Sequence, residues 1–341
     1  MAETHQELEI ITKIDTMTDP FQSSLFDLLD PGHALAPAPS RPVKWSHSRR
    51  NGFESCLLQY YYRYYGASSR SAVDEPLKEQ LKFFKGLKSI ALRLGDIVHF
   101  VVSQHFERLR KDPANSITGI ESWARDMFRK DLEASLAYQS SGRLPASQYT
   151  SLLSEFVLNE DNARERWDAA NESLAKSIRN FLGSQKFEAF RFGGVSEEAI
   201  IEKKLSIAFG SNTASGKIDL AYGSTAEMVI VDWKTGTSTA ADDSLQLLSY
   251  ALLIAHNLKV DPESIRVYKA YLELDSVVEE LVTAEGMLRA KGRIIQDIRR
   301  METMDGYGFS GLSAAFTPCG QNGICRMCPF RTVCPEFPRS N

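Results

Sequence analysis

The stretch Gly216 to Lys234, GKIDLAYGSTAEMVIVDWK, constrains the fold more than any other part of the chain. KIDLAY and MVIVDW are rich in β-branched and aromatic residues, and Gly-Ser-Thr-Ala-Glu between them has the composition of a turn, so the stretch reads as a β-hairpin. A reversal centred between Thr225 and Ala226 sets Asp219 opposite Asp232 and Lys217 opposite Lys234. The two-residue period puts Asp232 and Lys234 on one face. Facing carboxylates repel and weaken a sheet, but a divalent cation between them reverses the sign, and hard cations such as Mg²⁺ take carboxylate oxygens. A lysine ammonium beside such an ion can orient a water or stabilise charge developing on a phosphate. Taken alone, the hairpin is equally compatible with a solvated outer face carrying Asp, Asp and Lys.

The chain of 341 residues has ample material for one large domain or two ordinary ones. No apolar run reaches the length of a membrane span, and MAETHQELEI lacks the basic start and apolar core of a signal peptide, so a cytoplasmic location is expected. The net charge of −4 speaks against indiscriminate nucleic-acid binding. The charge is unevenly spread, however: between Arg41 and Arg93 eleven basic residues stand against four acidic ones. Tyr60, Tyr61, Tyr62, Tyr64 and Tyr65 are interleaved with them, a combination that suits a single strand's phosphates and bases and equally suits a half-buried helix.

Residues 1–40 read as an acidic, Pro/Ala-rich tail that cannot order itself. Gln22, Leu25 and Phe26 in it resemble the short Gln-x-x-Leu-Phe peptides that bind bacterial sliding clamps. Residues 41–341 form the folded domain. Helical periodicity runs from Trp45 to Tyr65 and from Ile90 to Leu109, the latter carrying Gly95 and His99. Residues 110–195 read as a helical insertion, a candidate wall over a groove. Strands follow from Ala199 to Phe209, carrying Glu202, and through the hairpin. A leucine-rich helix from Asp242 to Asn257 presents Gln246 and Tyr250 one turn apart. Strands at Arg266–Leu274 and Val277–Thr283 and a helix from Glu285 to about Met301 complete the pattern. The order implies an α/β fold with one mixed sheet flanked by helices.

Cys325-x2-Cys328-x5-Cys334 brings three thiolates within reach of one metal centre, in a segment, 319–337, that reads as a cluster-binding C-terminus. Cys319 or the distant Cys56 can supply a fourth ligand, and both zinc and a [4Fe–4S] cluster accept four thiolates.

Together these motifs resemble the RecB-like branch of the PD-(D/E)XK nucleases, whose iron–sulfur members include AddB-type helicase–nucleases and CRISPR-associated exonucleases. Gly95-x3-His99 resembles the branch's helix histidine. Gly216-Lys-Ile-Asp219 is similar to its GxxD, Asp232-Trp-Lys234-Thr-Gly to its (D/E)xK-T-G, and Gln246-x3-Tyr250 to its QxxxY. The resemblance implies a restriction-endonuclease-like core and metal-dependent cleavage of DNA in repair, recombination, CRISPR systems or phage defence. It implies that His99, Asp219, Asp232 and the carbonyl of Trp233 hold Mg²⁺ or Mn²⁺, with Glu202 (preferred to Glu198) as the acidic residue of the first strand. Lys234 would act on the water, and Gln246 and Tyr250 would support Lys234 or the phosphate backbone. It further selects Cys56 over Cys319 as fourth ligand and [4Fe–4S] over zinc, although Leu57 stands where a proline commonly follows the upstream cysteine. No GxxxxGK[ST] phosphate loop occurs, so a helicase partner would be another chain. A DNA-end-binding subunit without turnover and a zinc-stabilised regulatory protein are the alternatives.

Overall fold

The computed structural model describes residues 41–112, 119–236, 244–309 and 313–337. The tail with Gln22, Leu25 and Phe26 lies outside them. The helices are α1 (His47–Ser55), α2 (Leu57–Tyr61), α3 (Glu75–Gly86), α4 (Ile90–Lys111), α5 (Ile120–Ser141), α6 (Ser154–Val157), α7 (Ala163–Gly183), α8 (Glu188–Gly194), α9 (Ser244–Leu258), α10 (Ala284–Phe309) and α11 (Asn322–Met327). The strands are β1 (Lys44–Trp45), β2 (Ile200–Phe209), β3 (Asn212–Gly223), β4 (Met228–Lys234), β5 (Ile265–Tyr271) and β6 (Ser276–Glu280). They form one mixed six-stranded sheet flanked by helices, the α/β architecture of a restriction-endonuclease-like core.

The hairpin has the expected register. β3 and β4 pair from Gly223↔Met228 to Leu220↔Val231, which carries Asp219 and Asp232 to the position just past the last bonded pair. β2 pairs with β3 along its length. The other edge of β3 is shared: β1 pairs in parallel at Thr213 and Ala214, and β4 takes the far end. Between them Ser215 to Asp219 have no strand neighbour on that side. The gap leaves room for side chains of α9. A Cβ on Gly216 would lie 2.9 Å from both Leu253 Cδ1 and Tyr250 Cε1, so only glycine lets α9 approach this closely.

Each face of the sheet has its own core. Leu220, Val231 and Trp233 pack with α4, α5, α7 and α8, including Phe128, Trp167 and Phe181. The helices of residues 110–195 therefore cover one face of the sheet rather than standing apart from it. Ile218, Ala221 and Ile230 pack on the other face against Leu247, Ala251 and Ile254 of α9. The alternation along β3 thus slips between Ile218 and Leu220, and along β2 between Ile201, which faces α4, and Leu205, which faces α9. Glu202 sits at the slip, without a paired partner and with φ of 48°. A left-handed conformation in mid-strand costs a non-glycine residue on the order of 1–3 kcal/mol.

Three local expectations differ from the structure. Trp45 does not begin a helix but forms β1, and α1 is capped by Ser46, whose Oγ accepts the Arg49 N–H at 3.2 Å. The helix is interrupted at Cys56, whose extended backbone ends α1 and starts α2. The last long helix runs past Met301 to Phe309 because Ile294, Ile298 and Met301 continue its apolar stripe into a third core. That core holds Tyr60, Tyr61, Tyr62 and Tyr65, so those tyrosines pack inside the protein and are not a surface for bases.

Candidate active site

Five elements converge where β3 and β4 part. α4 brings His99, the slipped residue of β2 brings Glu202, and the ends of β3 and β4 bring Asp219, Asp232 and Lys234. α9 brings Gln246 and Tyr250 from the opposite face. His99 is fixed by three partners. Its Nε2 donates to the Trp233 carbonyl at 3.1 Å, while Nδ1 lies 3.2 Å from Glu202 Oε1 and 3.3 Å from Asp219 Oδ1. Burial pushes the imidazolium toward losing its proton, but the two carboxylates outweigh it and hold the His99 pKa well above the usual histidine range. The ligand atoms of His99, Glu202 and Asp219 all lie within 4.8 Å of one another, the one such group among the described residues.

Asp232 sits beside this group within a second network. Its Oδ1 accepts from Gln246 Nε2 at 3.1 Å, and Gln246 Nε2 also donates to the Tyr250 hydroxyl at 2.8 Å. Lys234 Nζ donates to Gln246 Oε1 at 3.0 Å and stands 2.8 Å from Asp232 Oδ2. That oxygen is buried and has the ion pair, but no well-directed hydrogen bond. Burial and the neighbouring Asp219 carboxylate push Asp232 up to about 6, against the pull of the Lys234 ammonium. Asp219 links the networks, because its Oδ2 accepts the backbone N–H of Trp233 at 2.9 Å.

Every residue singled out from the motifs lies in this arrangement, in two groups: His99, Glu202 and Asp219 with the Trp233 carbonyl, and Asp232 with Lys234, Gln246 and Tyr250. Glu198 lies away from it, exposed ahead of β2. Motif reading gave no role to Lys217, whose ammonium pairs with Glu202 Oε2. Its signal was its place inside the Gly216–Asp219 motif, two residues from the carboxylate. Burial acts to raise the Glu202 pKa, but His99 and Lys217 outweigh it and hold the carboxyl below its ordinary value, so Glu202 stays ionised. Gly95 lies one turn before His99; a Cβ there would meet only Thr235 Oγ1 at 3.6 Å, so this strip of α4 is open.

The family model of the PD-(D/E)XK nuclease superfamily matches residues 44–335. The chain belongs to that superfamily. Among solved structures, this PD-(D/E)XK protein is similar to one from Eubacterium rectale provisionally named an exonuclease, with 14% identity, 81% of this chain and 89% of that one covered, and a TM-score of 0.37. It is also similar to SSO0001, with 14% identity, 70% and 98% covered, and a TM-score of 0.27. No curated protein matches the chain. No helix among the described residues is long and apolar enough to cross a membrane.

All five cysteines line one cavity of about 360 Å³ between α2 and the C-terminal segment. Cys319 and Cys325 are 3.9 Å apart at sulfur, yet no three sulfurs lie within 4.8 Å of one another. The segment is tied to α2 and the turn after it independently of the cysteines, through the Leu58 N–H on the Thr317 carbonyl at 3.1 Å and the Tyr62 hydroxyl on the Val333 carbonyl at 3.3 Å. Burial, and with it the neighbouring thiols, pushes Cys328 up to about 12. A thiol so placed becomes a thiolate only on meeting a metal.

Proposed function

We propose that the protein is a metal-dependent deoxyribonuclease of the RecB-like branch, an exonuclease acting on single-stranded DNA or DNA ends. The observation that carries this reading is the convergence of His99, Glu202 and Asp219 beside a buried Asp232 already paired with Lys234. The donor set fits a hard divalent cation: one imidazole, carboxylates and the Trp233 carbonyl, with an Asp232 oxygen buried and poorly hydrogen-bonded. His99, Asp219, Asp232 and the Trp233 carbonyl would hold Mg²⁺ or Mn²⁺, with Glu202 completing the set. Bound there, the ion supplies Lewis acidity toward a phosphoryl oxygen and lowers the pKa of its water.

The chain's own residues supply the remainder. Lys234 is held between Asp232 and Gln246, which keeps a positive ammonium next to the reacting phosphate and within reach of a water. Tyr250 accepts from Gln246 and stays protonated, since burial raises its pKa far above the physiological range, so it orients Gln246 without adding charge. To act as a ligand His99 would give up its Nδ1 proton, and its Nε2–H on the Trp233 carbonyl would keep the ring in place.

The thiols lining the cavity suit a centre held by four thiolates, which zinc and a [4Fe–4S] cluster both accept, and the resemblance to the iron–sulfur nucleases favours the cluster. We assign the cavity a [4Fe–4S] cluster with Cys56, Cys325, Cys328 and Cys334 as ligands. It would staple α2 to the C-terminal segment and constrain a very long loop.

The test is incubation of anaerobically purified protein with end-labelled single- and double-stranded DNA in Mg²⁺, Mn²⁺ or EDTA, beside Asp232→Ala and Lys234→Ala. Metal-dependent release of nucleotides by the wild type, reduced about 10²–10³-fold in Lys234→Ala, is expected. Cleavage that survives both substitutions refutes the site. Binding without cleavage under every condition refutes catalysis and makes the chain a DNA-end-binding subunit.

A further inference from the structure

Helix α4 carries more than His99. On the strip beside it, Leu92, Asp96 and Phe100 recur at four-residue spacing, so they line up along one side of the helix. This strip is the shared wall of two cavities. One, of about 1070 Å³, contains His99, Glu202 and Lys217. The other, of about 1320 Å³, is closed on its far side by α5 and by residues 147–151, and Asp96 and Phe100 line both. The two form one groove running from the candidate active site across α4 onto the helices of residues 110–195.

The second cavity has an unusual lining for a protein surface. Phe100 is 40% exposed and Tyr149 74% exposed, and Trp123 lies beside Phe100 with ring centroids 5.4 Å apart. The Tyr149 ring is exposed on a backbone that is held firmly. Arg93 Nη2 donates to the Tyr149 carbonyl at 2.9 Å, and Arg93 Nε to Asp131 at 2.7 Å, while Asp131 accepts the Ser151 N–H at 2.7 Å. A large ring left in water on a fixed loop has no folding role, because the fold already has its cores. Positive charge accompanies the rings. Lys130 is exposed on α5 with no ion-pair partner among the described residues, and the Arg108 guanidinium lies 5.0 Å over the Trp123 ring. Lys88 and Arg93 also border the groove, but Asp96 and Asp131 pair with them and cancel their charge, which leaves Lys130 as the lining's net cation.

We propose that this groove is a binding track for a single strand of DNA, with Trp123, Tyr149 and Phe100 stacking on unpaired bases and Lys130 facing the phosphates as the strand leads to the active site. The proposal rests on the nuclease reading for the direction of the track and names the substrate class of that same site. Rings in a groove meet bases only when those bases are unstacked, so the occupant is a single strand and not a duplex.

The experiment uses the full chain in EDTA, so that binding is read apart from hydrolysis, with a fluorescein-labelled 20-nucleotide oligothymidylate followed by anisotropy. Tyr149→Ala and Lys130→Glu, both at exposed side chains, are each expected to weaken binding about tenfold. A 20-base-pair duplex is expected to show no such loss. Trp45, Trp167 and Trp233 are buried, so oligothymidylate should quench tryptophan emission through Trp123, and Trp123→Phe should abolish the quenching. Unchanged oligothymidylate affinity in both exposed variants, or an equal loss for the duplex, overturns the proposal. If hydrolysis is absent while these variants still lose affinity, the nuclease reading fails and the track stands. If hydrolysis needs Asp232 but the variants bind normally, the track fails and the nuclease reading stands.

Discussion

Asp232→Asn removes one of two carboxylates that neighbour each other in a buried site, and its effect on stability is expected to change with pH. Burial and Asp219 raise the Asp232 pKa from 3.8 to about 6. In the folded chain the carboxyl therefore keeps its proton to higher pH than in the unfolded chain. The stability this group contributes is complete below about pH 4 and is lost as pH rises through 6. The shift of about two units corresponds to about 3 kcal/mol when both states are ionised, most of it lost between pH 4 and 7.5. Asparagine does not titrate. It keeps an acceptor for Gln246 but turns an amide N–H toward Lys234, a mismatch of about 1–3 kcal/mol that varies little with pH. The quantity to measure is thus the change in the variant-minus-wild-type difference, expected to move by about 2 kcal/mol in the variant's favour from pH 4 to 7.5, or about 4 °C in Tm for a domain of this size. Urea or thermal unfolding in EDTA at four pH values reads it. Asp305, also pushed up to about 6 by burial, titrates in both proteins and cancels. Mn²⁺ should reverse the sign in the wild type, stabilising it more as pH rises. A difference that stays flat between pH 4 and 7.5 would show that Asp232 is not held against Asp219 as the geometry requires.

Gly216→Ala places a Cβ 2.9 Å from Tyr250 and Leu253, so it is expected to destabilise by about 1–3 kcal/mol and to disturb Gln246 through Tyr250, seen as a lower Tm together with a lower turnover number. Gly95→Ala meets only Thr235 at an ordinary distance and replaces a mid-helix glycine, so Tm should rise, by about 0.5–1 kcal/mol of stability, while affinity for DNA falls because the methyl group fills the groove. Cys56→Ser should abolish the brown colour and iron content of anaerobically purified protein, whereas Cys319→Ser should retain both; iron analysis with absorbance near 400 nm, as expected for thiolate-bound iron–sulfur centres, separates them. Equal iron in both variants would transfer the fourth ligand to another residue.

Local chemistry was enough to read the hairpin. The β-branched runs and the turn between them set the register of β3 on β4, and with it the approach of Asp219 to Asp232. The same held for α4, α9 and the β5–β6 pair, where the apolar period survives packing. The N-terminal segment was not legible in this way. Lys44–Trp45 is two residues long and becomes a strand only because the start of β3 offers it an edge to pair with, and the tyrosines after it became core because α10 and the C-terminal segment cover them. Glu202 stood out as the acidic residue of a strand, but its left-handed backbone at the slip in alternation was not visible in the sequence. Nothing in IIEKKLSIAF itself favours that conformation, and the contacts with His99, Lys217 and the two faces of the sheet impose it. Residue type and spacing thus determined which groups could share a site. Their division into a His99–Glu202–Asp219 cluster and an Asp232–Lys234–Gln246–Tyr250 network was decided by the tertiary structure, because it depends on where β3 and β4 separate and on how closely Gly216 lets α9 approach.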